Sequence, residues 1–99
     1  MSFPYVTKTY ENGVSGYIIW SNKLCMQWSK TSVSSGTVVS LLQKYKNTNY
    51  NLTAYDIHGD GLQDWCNSMS FHTLTTSSFK VYRGYSGSTT LSWCAIGYM

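Results

Sequence analysis

The run Gly16-Tyr-Ile-Ile-Trp-Ser-Asn-Lys-Leu-Cys-Met-Gln-Trp-Ser-Lys30 reads as two short strands about a turn, and it is apolar on both sides. Strand side chains alternate between faces, so Tyr17 and Ile19 point one way while Ile18 and Trp20 point the other. In the return strand Leu24, Met26 and Trp28 share a face, and Cys25 and Gln27 occupy the opposite one. A small antiparallel sheet ordinarily buries one face and wets the other. A chain built on this hairpin must therefore find cover for a second apolar face.

Its 99 residues make one domain, 1–99, with a modest core and a size at which burial against a partner helps. Aromatic residues make up 16% and charged residues 11%, a balance that suits sheets and interfaces better than a solvated helix bundle. The net charge of +3 comes from seven scattered Lys and Arg residues. They form no basic run, which argues against nucleic acid as a partner. No segment approaches the roughly 20 apolar residues of a membrane span, and no basic start followed by an apolar run marks a signal peptide. A soluble chain without membrane insertion is expected.

Three cysteines, Cys25, Cys66 and Cys94, stand at wide spacings with no CxxC pair. Buried thiols in a protein made in a reducing cytosol account for them, and one disulfide plus a free thiol stays open. The sequon Asn51-Leu-Thr53 means little without a secretory signal.

Turn formers alternate with β-branched and aromatic residues along the whole chain. Strands are expected at 6–10, 17–21, 23–30, 36–41, 51–57, 67–73, 78–83 and 89–97. Turns rich in Gly, Asn, Asp and Ser separate them, including 11–16, 31–36, 58–61 and 83–88. About eight short strands at even spacing predict an all-β fold, an antiparallel sandwich or barrel. Only the stretch from Val38 to Lys46 has spacing that also fits a turn or two of helix.

Several segments together resemble the C-terminal domain of bacteriophage and prophage tail-fibre proteins. They are Tyr5-Val-Thr-Lys-Thr-Tyr-Glu-Asn-Gly13, the hairpin from Gly16 to Trp28, Val38 to Asn51 with its Thr-Asn-Tyr, Thr75-Thr-Ser-Ser-Phe-Lys-Val-Tyr82, and Trp93-Cys-Ala-Ile-Gly-Tyr98. The family pattern has Asn-Gly at the hairpin turn where this chain has Asn22-Lys23, and Gly after Gln-Trp where Ser29 stands. What the resemblance implies is a β-sandwich assembled as a homotrimer at the tip of a fibre, joined to an upstream shaft through residues 1–12. Such a tip is part of the virion, made in the bacterial cytoplasm, and meets a host cell-surface glycan or protein. On that reading the second apolar face meets a neighbouring subunit, and Ile18, Trp20, Met26, Trp28 and Trp93 are trimer-interface or core residues. Each tryptophan can bury roughly 150–250 Å², and several left exposed would make an aggregation-prone patch.

Catalysis would need paired acids, a nucleophile with its base, or a metal. Three of the four acids and one of the two histidines lie between Asp56 and Asp64, with Asp60-Gly61 faintly similar to a calcium loop. The pattern fails: His58 would be a middle ligand, and Asn67 stands where the bidentate Glu belongs. A polar connecting loop, a recognition surface and a metal or catalytic site are the three readings. Cys25 and Cys94 lie in apolar strands, where thiols stay protonated and inert. No enzyme activity, cofactor or metal is expected.

Sugar recognition needs exposed aromatics beside hydrogen-bonding side chains, and loops at the end of a rigid sandwich are the natural place. The candidates are Tyr45 and Asn49 in the 45–50 stretch, His58, Asp60, Asp64 and Trp65, then Arg83 and Tyr85. Three functions remain: a host-binding tip, a structural trimerisation cap without receptor binding, and a small envelope-glycan hydrolase.

Overall fold

A computed structural model of the chain describes residues 3–57, 69–83 and 88–99, and within these it is all-β. Eight strands run β1 (Val6–Glu11), β2 (Gly16–Trp20), β3 (Leu24–Val33), β4 (Thr37–Ser40), β5 (Asn51–Ile57), β6 (Met69–His72), β7 (Ser78–Arg83) and β8 (Thr89–Tyr98). One sheet has the order β1-β2-β3-β8-β5 and the other β4-β7-β6. Every pairing is antiparallel. The expected all-β antiparallel architecture is therefore present, with each expected strand found to within a few residues.

Two local expectations are corrected. The turn at 31–36 begins later, because Thr31, Ser32 and Val33 continue the ladder against Leu91, Thr90 and Thr89, and Val33 is buried. The stretch from Val38 to Lys46 forms strand β4 followed by bends, with no helix. Its Val39 alternates inward beside Phe79, which gives a β-branched residue the half-buried pleated surface it favours.

The core lies between the sheets. Cys25, Val33, Leu91, Trp93 and Ala95 face it from the larger sheet, and Val39, Phe79 and Val81 from the smaller. Phe79 meets Trp93 edge to face at 5.7 Å, and Phe71 meets Phe79 at 5.8 Å. Trp93 is only 3% exposed, so it belongs to the core of a single chain. Among the described residues nothing accepts a hydrogen bond from its Nε1–H.

The hairpin turn carries backbone strain. Lys23 has φ 74°, a left-handed conformation that a side chain disfavours and Gly adopts freely. The Asn22 Oδ1 accepts from the Leu24 N–H at 3.2 Å, and the Lys23 N–H donates to the Trp20 carbonyl at 2.9 Å. The chain thus places Lys in a left-handed turn position that Gly would fill without strain.

The connection from β4 to β5 is held against β3 by Gln27, which is fully buried. Its Oε1 accepts from the Leu42 N–H at 2.7 Å and the Gln43 N–H at 3.0 Å, and its Nε2–H donates to the Gln43 carbonyl at 3.0 Å. Gln27→Leu keeps the shape but orphans three backbone groups. Each unsatisfied buried group costs about 1–3 kcal/mol, and access to solvent at the loop offsets part of this. The variant should lose about 2–3 kcal/mol in urea unfolding, with hydrogen exchange accelerating first at the Leu42 and Gln43 amides. A loss spread evenly over the sheets would show that Gln27 is not what fastens this connection.

Candidate functional site

Past Gln43 the connection crosses the open end of the sandwich. The Tyr45 N–H donates to the Thr76 carbonyl at 2.8 Å, and its hydroxyl donates to the Cys25 carbonyl at 3.1 Å. The Tyr50 hydroxyl lies 2.9 Å from the Thr75 carbonyl and 3.2 Å from that of Ser78. The two rings stack at 4.7 Å. They fit because residue 97 is Gly: a Cβ there would lie 2.6 Å from the Tyr50 Cβ and 3.1 Å from the Tyr45 Cδ1. Tyr45 is 1% exposed, which removes it from the recognition candidates. It closes the core, and its neighbours are pushed outward.

Those neighbours form a cleft of about 250 Å³ with the ends of β3, β5 and β8. Leu24 and Ile96 supply an apolar floor, with Tyr98 on one side. Lys46, Asn47, Asn49 and Asn51 supply the polar wall. The Lys46 N–H donates to the Tyr98 carbonyl at 2.9 Å, fixing loop to strand, and its Nζ sits 5.6 Å from the Tyr98 ring centroid. The Asn47 Oδ1 accepts from the Asn49 N–H at 2.9 Å, which leaves the Asn47 amide NH₂ to donate elsewhere. Of the two expected recognition residues whose side chains are described, Tyr45 and Asn49, Asn49 lines this cleft. His58, Asp60, Asp64, Trp65 and Tyr85 lie outside the described residues, as does the side chain of Arg83.

Sequence reasoning pointed to the 45–50 stretch, yet missed Asn51, Leu24, Ile96 and Tyr98. These come from strand ends far apart in the chain. Register joins them, with Leu24 opposite Tyr98 and Asn51 opposite Ile96. The available signal was the pair Gly97-Tyr98 at the end of β8, whose alternation sends one residue under the Tyr45 and Tyr50 rings and the other outward.

The cleft opens at the margin of an apolar sheet face. Ile18, Met26 and Ile96 form one row across β2, β3 and β8, and Trp28 and Cys94 stand in the next. Ile18, Trp20, Met26 and Trp28 are all half-buried, and Ile96 is 39% exposed. Trp28 lies over the Cα of Gly16, where a Cβ would clash with its indole. The core-facing side of the hairpin is the one with Cys25 and Gln27, so the larger side chains are the ones turned outward.

The outer face of the smaller sheet is different. His72 Nε2 and Ser70 Oγ are 2.8 Å apart, His72 meets Tyr82 edge to face at 5.1 Å, and Lys80 Nζ sits 5.8 Å from the Tyr82 centroid. These groups use one another. Among the described residues no three His, Cys, Asp or Glu side chains converge as metal ligands.

The thiols of Cys25 and Cys94 are free, and burial first of all raises both above the usual 9.0. Burial likewise raises the Tyr45 and Tyr50 hydroxyls above 10.0. The fold thus favours the neutral forms. That contribution is complete below the unfolded values and is lost as pH rises from them through the raised folded values. The urea midpoint should stay level up to about pH 8 and fall above about pH 9. Tyr45→Phe should make the fall shallower, and an unchanged slope would mean Tyr45 does not contribute to it.

No protein-family model matches the chain, and no curated protein is significantly similar to it. Solved structures similar to the chain include two tail-fibre fragments. One is an N-truncated R2-type pyocin tail fibre, with TM-score 0.70 and 19% identity over 92% of this chain and 38% of that one. The other is the C-terminal part of the R2 pyocin fibre of P. aeruginosa, with TM-score 0.70 and 20% identity over 92% of this chain and 26% of that one. The chain thus spans well under half of either fibre fragment. At this level of identity the likeness establishes architecture: the chain has the fold of a part of the R2-type pyocin tail fibre.

Proposed function

We infer that the chain is the tip domain of a phage or prophage tail fibre, borne at the end of an upstream shaft, and that it adsorbs the particle to a host cell-surface glycan or protein. The observation that carries this reading is the shared fold with R2-type pyocin tail fibres over 92% of the chain. The ordered tail-fibre motifs in the sequence support it independently. The domain acts by binding, without catalysis.

Three copies assemble through the apolar face of the larger sheet. Support comes from the four large side chains Ile18, Trp20, Met26 and Trp28, which the single chain leaves only half-buried. Their exposure would otherwise cost solubility. Trimerisation also explains how a small site suffices: three weak contacts on one rigid tip raise avidity by orders of magnitude without any new contact. The same apolar face favours, as the second reading, a cap that only locks the fibre end.

In light scattering the chain should have three times its 11.2 kDa mass. Met26→Glu places a carboxylate in the row between Ile18 and Ile96 and should return the mass to that of one chain. A wild-type monomer would remove the assembly.

For recognition, the fluorescently labelled chain is offered to bacterial strains with defined deletions in envelope-glycan synthesis. Binding that disappears with particular deletions supports the receptor-binding tip. Strains that bind a longer fibre but never this domain would leave only the cap, and release of sugar fragments would overturn the non-catalytic mechanism.

A further inference from the structure

We propose that the cleft between the 46–51 segment and the end of β8 binds one anionic sugar residue, whose carboxylate or phosphate meets Lys46 and whose ring lies against Tyr98. This rests on the receptor-binding reading and gives it a site and a ligand class. The cleft has a volume of about 250 Å³, below the ~300–1,000 Å³ of sites that take drug-sized ligands and suited to a single pyranose ring.

Its chemistry is divided as a sugar's is. A pyranose has an apolar face of C–H bonds and a rim of hydroxyls that both donate and accept. Leu24, Ile96 and the Tyr98 ring match the face. The amides of Asn49 and Asn51 match the rim, since among the described residues neither amide side chain has a protein partner, and a side-chain amide offers both donors and an acceptor. The Asn47 amide adds donors, its oxygen being held by the Asn49 N–H.

The charge selects among sugars. Among the described residues that line the cleft, Lys46 is the sole charged one and none is a carboxylate. Its ammonium has three donors, and the contact described for it is with the face of Tyr98, which engages the charge without a hydrogen-bond acceptor. An anionic substituent supplies that acceptor, and charge-assisted bonds of this kind are about twice as strong as neutral ones. A neutral sugar offers the ammonium only hydroxyl oxygens, which accept without the added strength of a charged acceptor.

The site is also preorganised. Gln27, the Tyr45 and Tyr50 hydroxyls and the Lys46-to-Tyr98 backbone bond hold the loop before any ligand arrives. A rigid wall loses little entropy on binding.

The test uses the ¹⁵N-labelled chain titrated with glucuronic acid, glucose 6-phosphate and glucose, read by amide chemical shifts. The two anionic sugars should bind with Kd on the order of 1 mM and shift the amides of 46–51 and 96–98. Glucose should bind about tenfold more weakly. Lys46→Met should cost about tenfold with the anionic sugars and little with glucose, while Lys30→Met, on the same sheet but away from the cleft, should change nothing. Equal binding of all three sugars, shifts confined to other residues, or no effect of Lys46→Met overturns the proposal. The same two variants are then offered to the bacterial strains. Cells that bind both variants and wild type alike would discard the cleft and keep the tip, whereas cells that never bind the chain would count against the tip itself.

Discussion

The arrangement of the site depends on one buried amide. Gln27 occupies a core-facing position in β3 where an apolar residue would ordinarily stand, and all three of its hydrogen bonds go to backbone groups of Leu42 and Gln43. Isolated, such a side chain would cost several kcal/mol to bury. Fully satisfied, it replaces water for a loop that has no sheet partner, and each bond contributes about 1 kcal/mol net. The larger effect is geometric. Once Leu42 and Gln43 are fastened to β3, Tyr45 can reach the Cys25 carbonyl, its ring can stack on Tyr50, and the residues between them have nowhere to turn except outward.

Alternation then gives the Gln27-Trp28 pair two unrelated tasks. Gln27 fastens the loop on the core side, while Trp28 lies over Gly16 on the outer side. Gly97 and Tyr98 repeat this division on the neighbouring strand β8: Gly97 makes room for Tyr45 and Tyr50, and Tyr98 flanks the cleft. Two dipeptides on neighbouring strands thus link the core, the outer face and the cleft. A shift of one residue in the register of β8 against β3 would exchange the roles of Gly97 and Tyr98.

Much of the fold was legible because it rests on local chemistry. Strands β5 and β7 begin and end where alternation and turn residues place them, and the two-sided hairpin already shows that one face needs cover. The inward side was harder to read. Leu24, Met26 and Trp28 are more apolar than Cys25 and Gln27, so composition favours the wrong face for the core. The amide is tolerated inside only because a distant loop satisfies it. Tyr45 misleads for the same reason, since a loop aromatic near asparagines looks exposed until Gly97, more than fifty residues away, is found beneath it. Asn49 was identified from its loop, but Asn51 and Tyr98 join it through register alone.

The cleft and the apolar face share residues, and this constrains how the protein can work. Leu24 and Ile96 floor the cleft, yet Ile96 also ends the row begun by Ile18 and Met26. Any neighbouring subunit that covers that row borders the cleft as well. Under the proposed assembly each tip therefore carries three clefts along its subunit seams, held at fixed spacing by the same strands that form the core. Weak contacts at fixed spacing select for surfaces that repeat a ligand densely, since a lone sugar engages one cleft and dissociates readily. The physical basis of adsorption would then lie less in the affinity of any one cleft than in the rigidity with which Gln27, Gly97 and the β3–β8 register hold each cleft against its sheet.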